Sequence, residues 1–466
     1  MASADPTAME HIQSHGAEGV PISTLTTVSR DPDLEKLLPR DRGRAAWSVL
    51  AAVSCILMIS WGFGGASGVF REYYFNHHPP LVGNELVASI GVMIAGTLQI
   101  TSPFLLHYLS GRSHQRKLMM WVGMIVLVTA AIGAAFSRTP LQVIMTQGLL
   151  YGIGSGLLFA PSVSFIDEWF IERRGFANGL FFGSNSIAAA GLSPVFSVLL
   201  KRFGPRIVLI TWAILAATVV STAILFVHPR QTKYDDEKAA VSLRQLKKPV
   251  FWLFAFSMIL QGFANFLPPG YLPSYATDLG IPSAQGALLI TYMSLSGVIG
   301  QSLLGLLTDK SGAMLPLFLS TLVSTFAIVV VWGFGHVYWT MVVFSILFGA
   351  FSFSFVVLRS HMAAIVVGNL DHPNDELIVS SALLAIRGGA AVVSGYIGVA
   401  VVSSNEHLGV QDTYGAGKWR SLIITLGVLM FCATISAVGF LNKDSRLIGP
   451  KEDDAEEGIG GIEEKS

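Results

Sequence analysis

The sequence predicts an all-α membrane protein of twelve transmembrane helices, arranged as two pseudo-symmetric six-helix bundles. Three observations predict it: too few charges to cover a soluble surface, a dozen apolar runs of bilayer length, and one long charged break midway. Of 466 residues, 52% are hydrophobic and 13% charged, and mean hydropathy is +0.59. A soluble globular chain carries about 25% charged residues, so the deficit points to a lipid-facing surface. The 30 basic residues balance 30 acidic ones, which gives no reason to expect a nucleic-acid partner.

A helix crossing the hydrocarbon needs about 20 mostly apolar residues. Six such runs come first, at 46–70, 86–108, 117–136, 141–163, 175–199 and 206–228. The charged stretch 229–249 follows, ending Lys247-Lys248-Pro249, and six more runs occupy 250–272, 286–308, 314–335, 338–360, 377–401 and 418–441. Two sets of six around one linker is the organisation expected of a duplicated carrier. The domains are therefore a disordered tail over 1–45, bundles over 46–228 and 250–441, the 229–249 linker, and an acidic tail over 442–466. The polar start of the chain has no early apolar core and reads as a tail, not a signal peptide.

Orientation follows from Lys and Arg in the short loops. With the N-terminus cytoplasmic, about seventeen of them fall inside and seven outside, Arg71 among the seven, so both tails and the linker are expected in the cytoplasm. Residues 71–85, 273–285 and 402–417 would then face the other side. The plasma membrane is the expected location. Cys55 and Cys432 sit in apolar runs and read as packing residues.

The halves also resemble each other. Gln147-Gly-Leu-Leu-Tyr-Gly152-Ile-Gly-Ser-Gly156 in the fourth run aligns with Phe344-Ser-Ile-Leu-Phe-Gly349 onward in the tenth, where a six-helix repeat would put it. Gly64 and Gly68, and Gly152 and Gly156, are small residues four apart that let helix backbones approach closely in lipid. No strand precedes Gly152, so a dinucleotide loop is excluded.

Charge at a helix centre costs roughly 2.5–3.5 kcal/mol on insertion scales, so it marks function or a specific partner. Only Arg387, in the eleventh run, lies near mid-depth, and no carboxylate shares that depth. Two readings stay open: a guanidinium that grips a carboxylate through paired hydrogen bonds, or a buried arginine bonded to the carbonyls of a neighbouring helix end. Arg359, at the expected inner end of the tenth run, would snorkel to the interface. Tyr151, Asn185, Asn265, Tyr292 and Gln301, with Gln99, Gln147 and Gln261, are polar residues that either line a solute cavity or join helices. With Arg387, the first five make up the expected substrate-binding set. Asp309 and Lys310 occupy the tight turn after the eighth run, where Asp309 can cap the next helix.

His77, His78 and His372 have no partners at ligand spacing, so no metal is expected. The sequence holds no phosphate-cradling loop, and no nucleophile beside a base, so neither a cofactor, ATP-driven transport nor catalysis is expected.

Several stretches resemble the major facilitator superfamily, and within it the monocarboxylate-porter-like branch found in fungi. They are Trp61-Gly-Phe-Gly-Gly-Ala-Ser-Gly-Val-Phe-Arg-Glu-Tyr-Tyr74, Trp169-Phe-Ile-Glu-Arg-Arg-Gly-Phe-Ala-Asn-Gly179, Leu267-Pro-Pro-Gly-Tyr-Leu-Pro-Ser-Tyr-Ala276 and Arg387-Gly388. Arg173 and Arg174 at the fifth-run entry join Asp309, Gly152 and Gly156 as the expected structural or gating set. The resemblance implies a transporter of a small organic solute, of monocarboxylate-like anions in particular, working by alternating access. Exporters of secondary metabolites share the fold, and a nutrient sensor would keep it without transporting. Where animal members carry an Asp and an Arg in the eighth run, this chain has Gly297 and Gln301, and their first-run Lys falls near Gly64. Proton coupling is thus left open between the protein and the substrate acid.

Overall fold

The computed structural model describes residues 43–77, 81–109, 112–170, 174–230, 243–368, 373–404, 409 and 413–441. The expected tails lie outside these residues except for 43–45, as does the 231–242 part of the linker.

Among the described residues, eleven helical stretches are long and apolar enough to cross a bilayer, and one of them, Ala177–Phe226, holds two spans. At 1.5 Å per residue the continuous run Arg174–Phe226 would reach roughly 80 Å, far beyond a hydrocarbon core of about 30 Å. It reverses at Gly204, whose φ of 74° is open to glycine and strained for other residues, and Pro205 starts the return helix. The spans are therefore twelve. In the first half α1 covers Arg44–His77, α2 Ser89–Leu109, α3 Arg116–Ala135, α4 140–169, α5 174–203 and α6 205–226. In the second half α7 covers Pro249–Asp278, α8 Ser283–Ser311, α9 Met314–Trp332, α10 Tyr338–Val367, α11 Pro373–Ser403 and α12 Arg420–Phe440. Local sequence sets the ends. The α4 start is a capping box in which Thr139 and Gln142 exchange hydrogen bonds ahead of Pro140 at the first helical position.

An even number of crossings returns Arg44 and Phe440 to one face, termed the terminal face below. Three apolar cores hold the bundle. The first half packs around Phe63, Tyr151, Phe196 and Trp212, with Phe63 stacked on Trp212 at 5.4 Å. The second half packs around Tyr275, Trp332, Phe344 and Trp419, and its terminal-face end around Phe254, Leu358 and Phe440. Large apolar side chains such as Ile125, Ile214, Leu225, Trp252, Ile299 and Phe334 stand exposed on the outside, as a lipid-facing wall requires. Cys55 and Cys432 are also exposed, so they are surface groups and not the packing residues expected.

The repeat read in the sequence has a structural counterpart. A Cβ on Gly152 would meet Thr97 Cβ at 2.7 Å and one on Gly156 would collide with Thr101, so these glycines let α4 lie on α2. Gly349 in turn lets α10 lie on α8, against Met293 and Ser296.

Two expected boundaries move. The first span does not stop at residue 70 but continues to His77, carrying Arg71 and Glu72 into buried positions, 1% and 3% exposed. Helix formation outlasts the apolar run here because α7 covers those residues. The tenth span continues past 360 to Val367, so Arg359 lies two turns inside the helix and does not cap its end.

Candidate functional site

Arg387 lies near the midpoint of α11, where the two halves meet, and is 3% exposed. Glycines place it there. A Cβ on Gly388 would come 2.7 Å from Gln99 Cβ and 2.8 Å from the Gly96 carbonyl, so α11 can reach α2 only with a bare backbone at that point. Gly262 does the same for α7, where a Cβ would sit 3.3 Å from Arg387 Cγ.

The guanidinium is held by neutral groups. Its Nε donates to Gln261 Oε1 at 3.1 Å, its Nη1 donates to Gln99 Oε1 at 3.4 Å, and the Phe266 ring lies 4.5 Å from Cζ. Gln261 in turn donates from Nε2 to the Ser352 carbonyl of α10 at 3.0 Å, and Ser352 Oγ donates to Asn265 Oδ1 at 2.7 Å. Arg387 is therefore tied into α2, α7 and α10 by side chains, not to backbone carbonyls at a helix end. Among the described residues no carboxylate pairs with it. A buried charge met only by carboxamide oxygens and an aromatic face keeps its net +1. Gln99 Nε2 beside it is buried and has no acceptor among the described residues. A cation and an unused N–H donor at one point form an anion-attracting constellation.

The expected polar residues divide. Asn265 belongs to the Arg387 network through Ser352. Asn185 of α5 has a buried Oδ1 without a partner among the described residues, the mark of a group waiting for a donor. Gln301 of α8 is half-buried. Tyr292 instead packs, with Tyr338, against the second-half core. Tyr151 is fully buried in the first half, donating to the Ile59 carbonyl at 2.8 Å and accepting from Trp212 Nε1 at 3.0 Å. Its partners all belong to one bundle, so it acts as interhelical glue. The Asp309 and Arg174 side chains and the whole of Arg173 lie outside the described structure.

Toward the face opposite the termini, the halves close on each other above Arg387. Pro273 has no N–H, which leaves the Pro269 carbonyl of α7 without its helical donor, and Gly68 of α1 packs directly on that oxygen. Pro194 frees the Ala190 carbonyl of α5 in the same way, and Thr291 of α8 donates to it at 2.7 Å. Arg71 lies over the Tyr271 ring at 4.2 Å, and Thr277 Oγ1 donates to Glu72 Oε1 at 3.4 Å. Asp278, at the α7 end, pairs with Lys418 at 3.4 Å and accepts from Trp419 Nε1 at 3.0 Å. Sequence reasoning missed this seal because Arg71 was expected in a loop. The Trp61–Tyr74 stretch, where the apolar pattern continues past Arg71 through Tyr73 and Tyr74, held the signal.

No three His, Cys, Asp or Glu side chains converge as a metal site among the described residues.

The Major Facilitator Superfamily profile matches residues 49–376, about 70% of the chain. The MFS-type transporter pynF of Aspergillus niger is 26% identical over 315 residues, covering 65% of this chain and 71% of that protein. The probable transporter MCH2 of Saccharomyces cerevisiae is 24% identical, with 58% of each chain covered. Monocarboxylate transporter 4 of Mus musculus is 26% identical, with 57% of this chain and 58% of that protein covered. Among solved structures, the nucleoside transporter NupG superposes with a TM-score of 0.63 at 14% identity, over 84% of this chain and 99% of that one. A bacterial homolog of the human lysosomal transporter Spinster gives 0.62 at 13% identity, over 86% and 97%.

Proposed function

The chain belongs to the Major Facilitator Superfamily, and on that premise we propose that it carries a small carboxylate-bearing organic anion across a membrane by alternating access. The observation that carries the reading is Arg387, a mid-depth cation at the junction of the halves, held among the described residues by neutral oxygens and an aromatic face. A carboxylate entering there replaces weak carboxamide contacts with charge-assisted ones, and Gln99 Nε2 supplies a further donor. The resemblance to monocarboxylate transporters points to the same solute class.

Alternating access needs two arrangements of similar energy that share one site. Gly68 on the Pro269 carbonyl and Thr291 on the Ala190 carbonyl make the contacts of one arrangement, closed opposite the termini. Arg71 over the Tyr271 ring and Thr277 on Glu72 add to them, and all are contacts between side chains or backbones of separate bundles that can part as units. We place the terminal face in the cytoplasm on the loop charge balance. Arg71, in that balance a loop charge on the far side, is buried in the seal, which widens the asymmetry of the exposed charge. The driving force is the solute gradient or a proton carried on the substrate acid.

The test is flux. Purified protein in liposomes is given labelled carboxylates and their uncharged amides. Saturable uptake of at least one carboxylate, inhibited by other carboxylates and not by amides, is expected. Saturable flux confined to uncharged or cationic solutes would overturn the reading.

A further inference from the structure

Arg387 is not the only arginine inside the second half. Arg359 of α10 has its Nε buried with no acceptor, and among the described residues no carboxylate pairs with the side chain. It lies seven residues beyond Ser352, whose carbonyl holds the Gln261 that holds Arg387. At 1.5–2.0 Å of rise per residue this puts the Arg359 backbone about 10–14 Å nearer the terminal face than the Ser352 layer. Two long, flexible arginine side chains can span much of that separation.

Two like charges inside one bundle repel, and neither has a described counter-ion. Such a pair persists where something else supplies the negative charge. One monocarboxylate at Arg387 would neutralise half of it. We infer that the transported anion carries two separated negative groups, one gripped by Arg387 at mid-depth and the other by Arg359 on the terminal-face side, as in a short-chain dicarboxylate. This rests on the reading of Arg387 as an anion site and adds the second contact. Arg359 then also meets the incoming anion first from the terminal face. Its half-buried place two turns inside α10 suits that role better than snorkelling from a helix end.

The experiment is calorimetric titration of the purified full-length protein at neutral pH. The ligands are the straight-chain dicarboxylates from malonate to adipate, the monoamide of each, and butyrate. The expected result is that at least one dicarboxylate binds about tenfold or more tightly than its own monoamide, the effect of one added charge-assisted contact. Arg359→Gln should bring that dicarboxylate down to the affinity of the monoamide, and Arg359→Lys should restore part of the difference. Equal binding of every dicarboxylate and its monoamide to the native protein overturns the inference and needs no variant, as does a gap that survives Arg359→Gln. If monoamides and butyrate bind but dicarboxylates gain nothing, the anion site at Arg387 stands and only the second contact falls. If no carboxylate binds, both readings fall together.

Discussion

The two halves share one fold and treat their buried polar groups in opposite ways. In the first half several of these groups are paired within the bundle. Tyr151 joins Ile59 and Trp212, Tyr74 donates to Gln147 Oε1 at 3.0 Å, Ser155 donates to the Ser60 carbonyl at 3.1 Å, and Arg116 meets Glu168 at 2.7 Å. In the second half Arg387 and Arg359 have no described carboxylate, and Asn265, Ser352 and Gln261 form a chain leading to one of them. Packing of glycine against helix recurs in both bundles, while the arginines without a described carboxylate partner, Arg387 and Arg359, lie in one. The first half contributes Gln99, whose Oε1 accepts from Arg387 and whose Nε2 has no acceptor among the described residues.

Substitutions at close glycines sharpen that contrast most. Gly388→Val drives a side chain into Gln99 and Gly96 and pushes the halves apart at the cation. Overpacking of this kind costs about 1–3 kcal/mol, and where that strain falls on the arrangement that forms the site, transport in liposomes should fall about five- to a hundredfold. Gly154 is packed as tightly, with Leu127 N 2.7 Å from its would-be Cβ, yet within the first half alone. Gly154→Val should lower the melting temperature without changing anion affinity in whatever protein folds. If the two variants behave alike, the contrast between the halves fails.

A smaller effect is expected at Tyr151. Removing its hydroxyl deprives Trp212 Nε1 and the Ile59 carbonyl of a buried partner, costing about 1–3 kcal/mol of stability. Tyr151→Phe should therefore melt several degrees lower while binding its anion within about twofold of the native protein. A folded Tyr151→Phe that loses substrate affinity would return this residue to the solute path.

Smallest is the effect of Thr291→Val, which removes one neutral hydrogen bond between the halves worth about 0.5–1.5 kcal/mol. The population closed opposite the termini should drop by roughly two- to tenfold relative to the alternative. Spin labels at Val82 and Gln285, both exposed and on opposite halves, would show it as a second, longer distance. An unchanged distance distribution would mean that the seal does not depend on this contact.

Much of the architecture was legible in the sequence because bilayer thickness imposes a length on every span and lipid penalises each charge. That is why Arg387 stood out, and why Gly152 and Gly156 could be read as packing sites. The seal was not legible, since Arg71 follows the apolar run and only the opposing α7 makes it buried. Tyr151 could not be assigned because a tyrosine in an apolar run looks the same whether its hydroxyl meets a solute or a tryptophan. Arg359 was hidden by the placement of a helix end, and Gln99 and Gln261 became partners only when α2 and α7 met at Arg387.

The central claim is that Arg387 recognises a negative charge between the halves, and its most direct test is the affinity of the best-transported carboxylate for native, Arg387→Gln and Arg387→Lys protein, with melting temperature measured alongside. Loss of a charged hydrogen-bonding partner removes about 1.5–3 kcal/mol, so Arg387→Gln should bind roughly ten- to a hundredfold more weakly. Arg387→Lys keeps the charge without the planar fork and should recover part of the loss. A folded Arg387→Gln protein with native affinity would contradict the account and leave the arginine as scaffold.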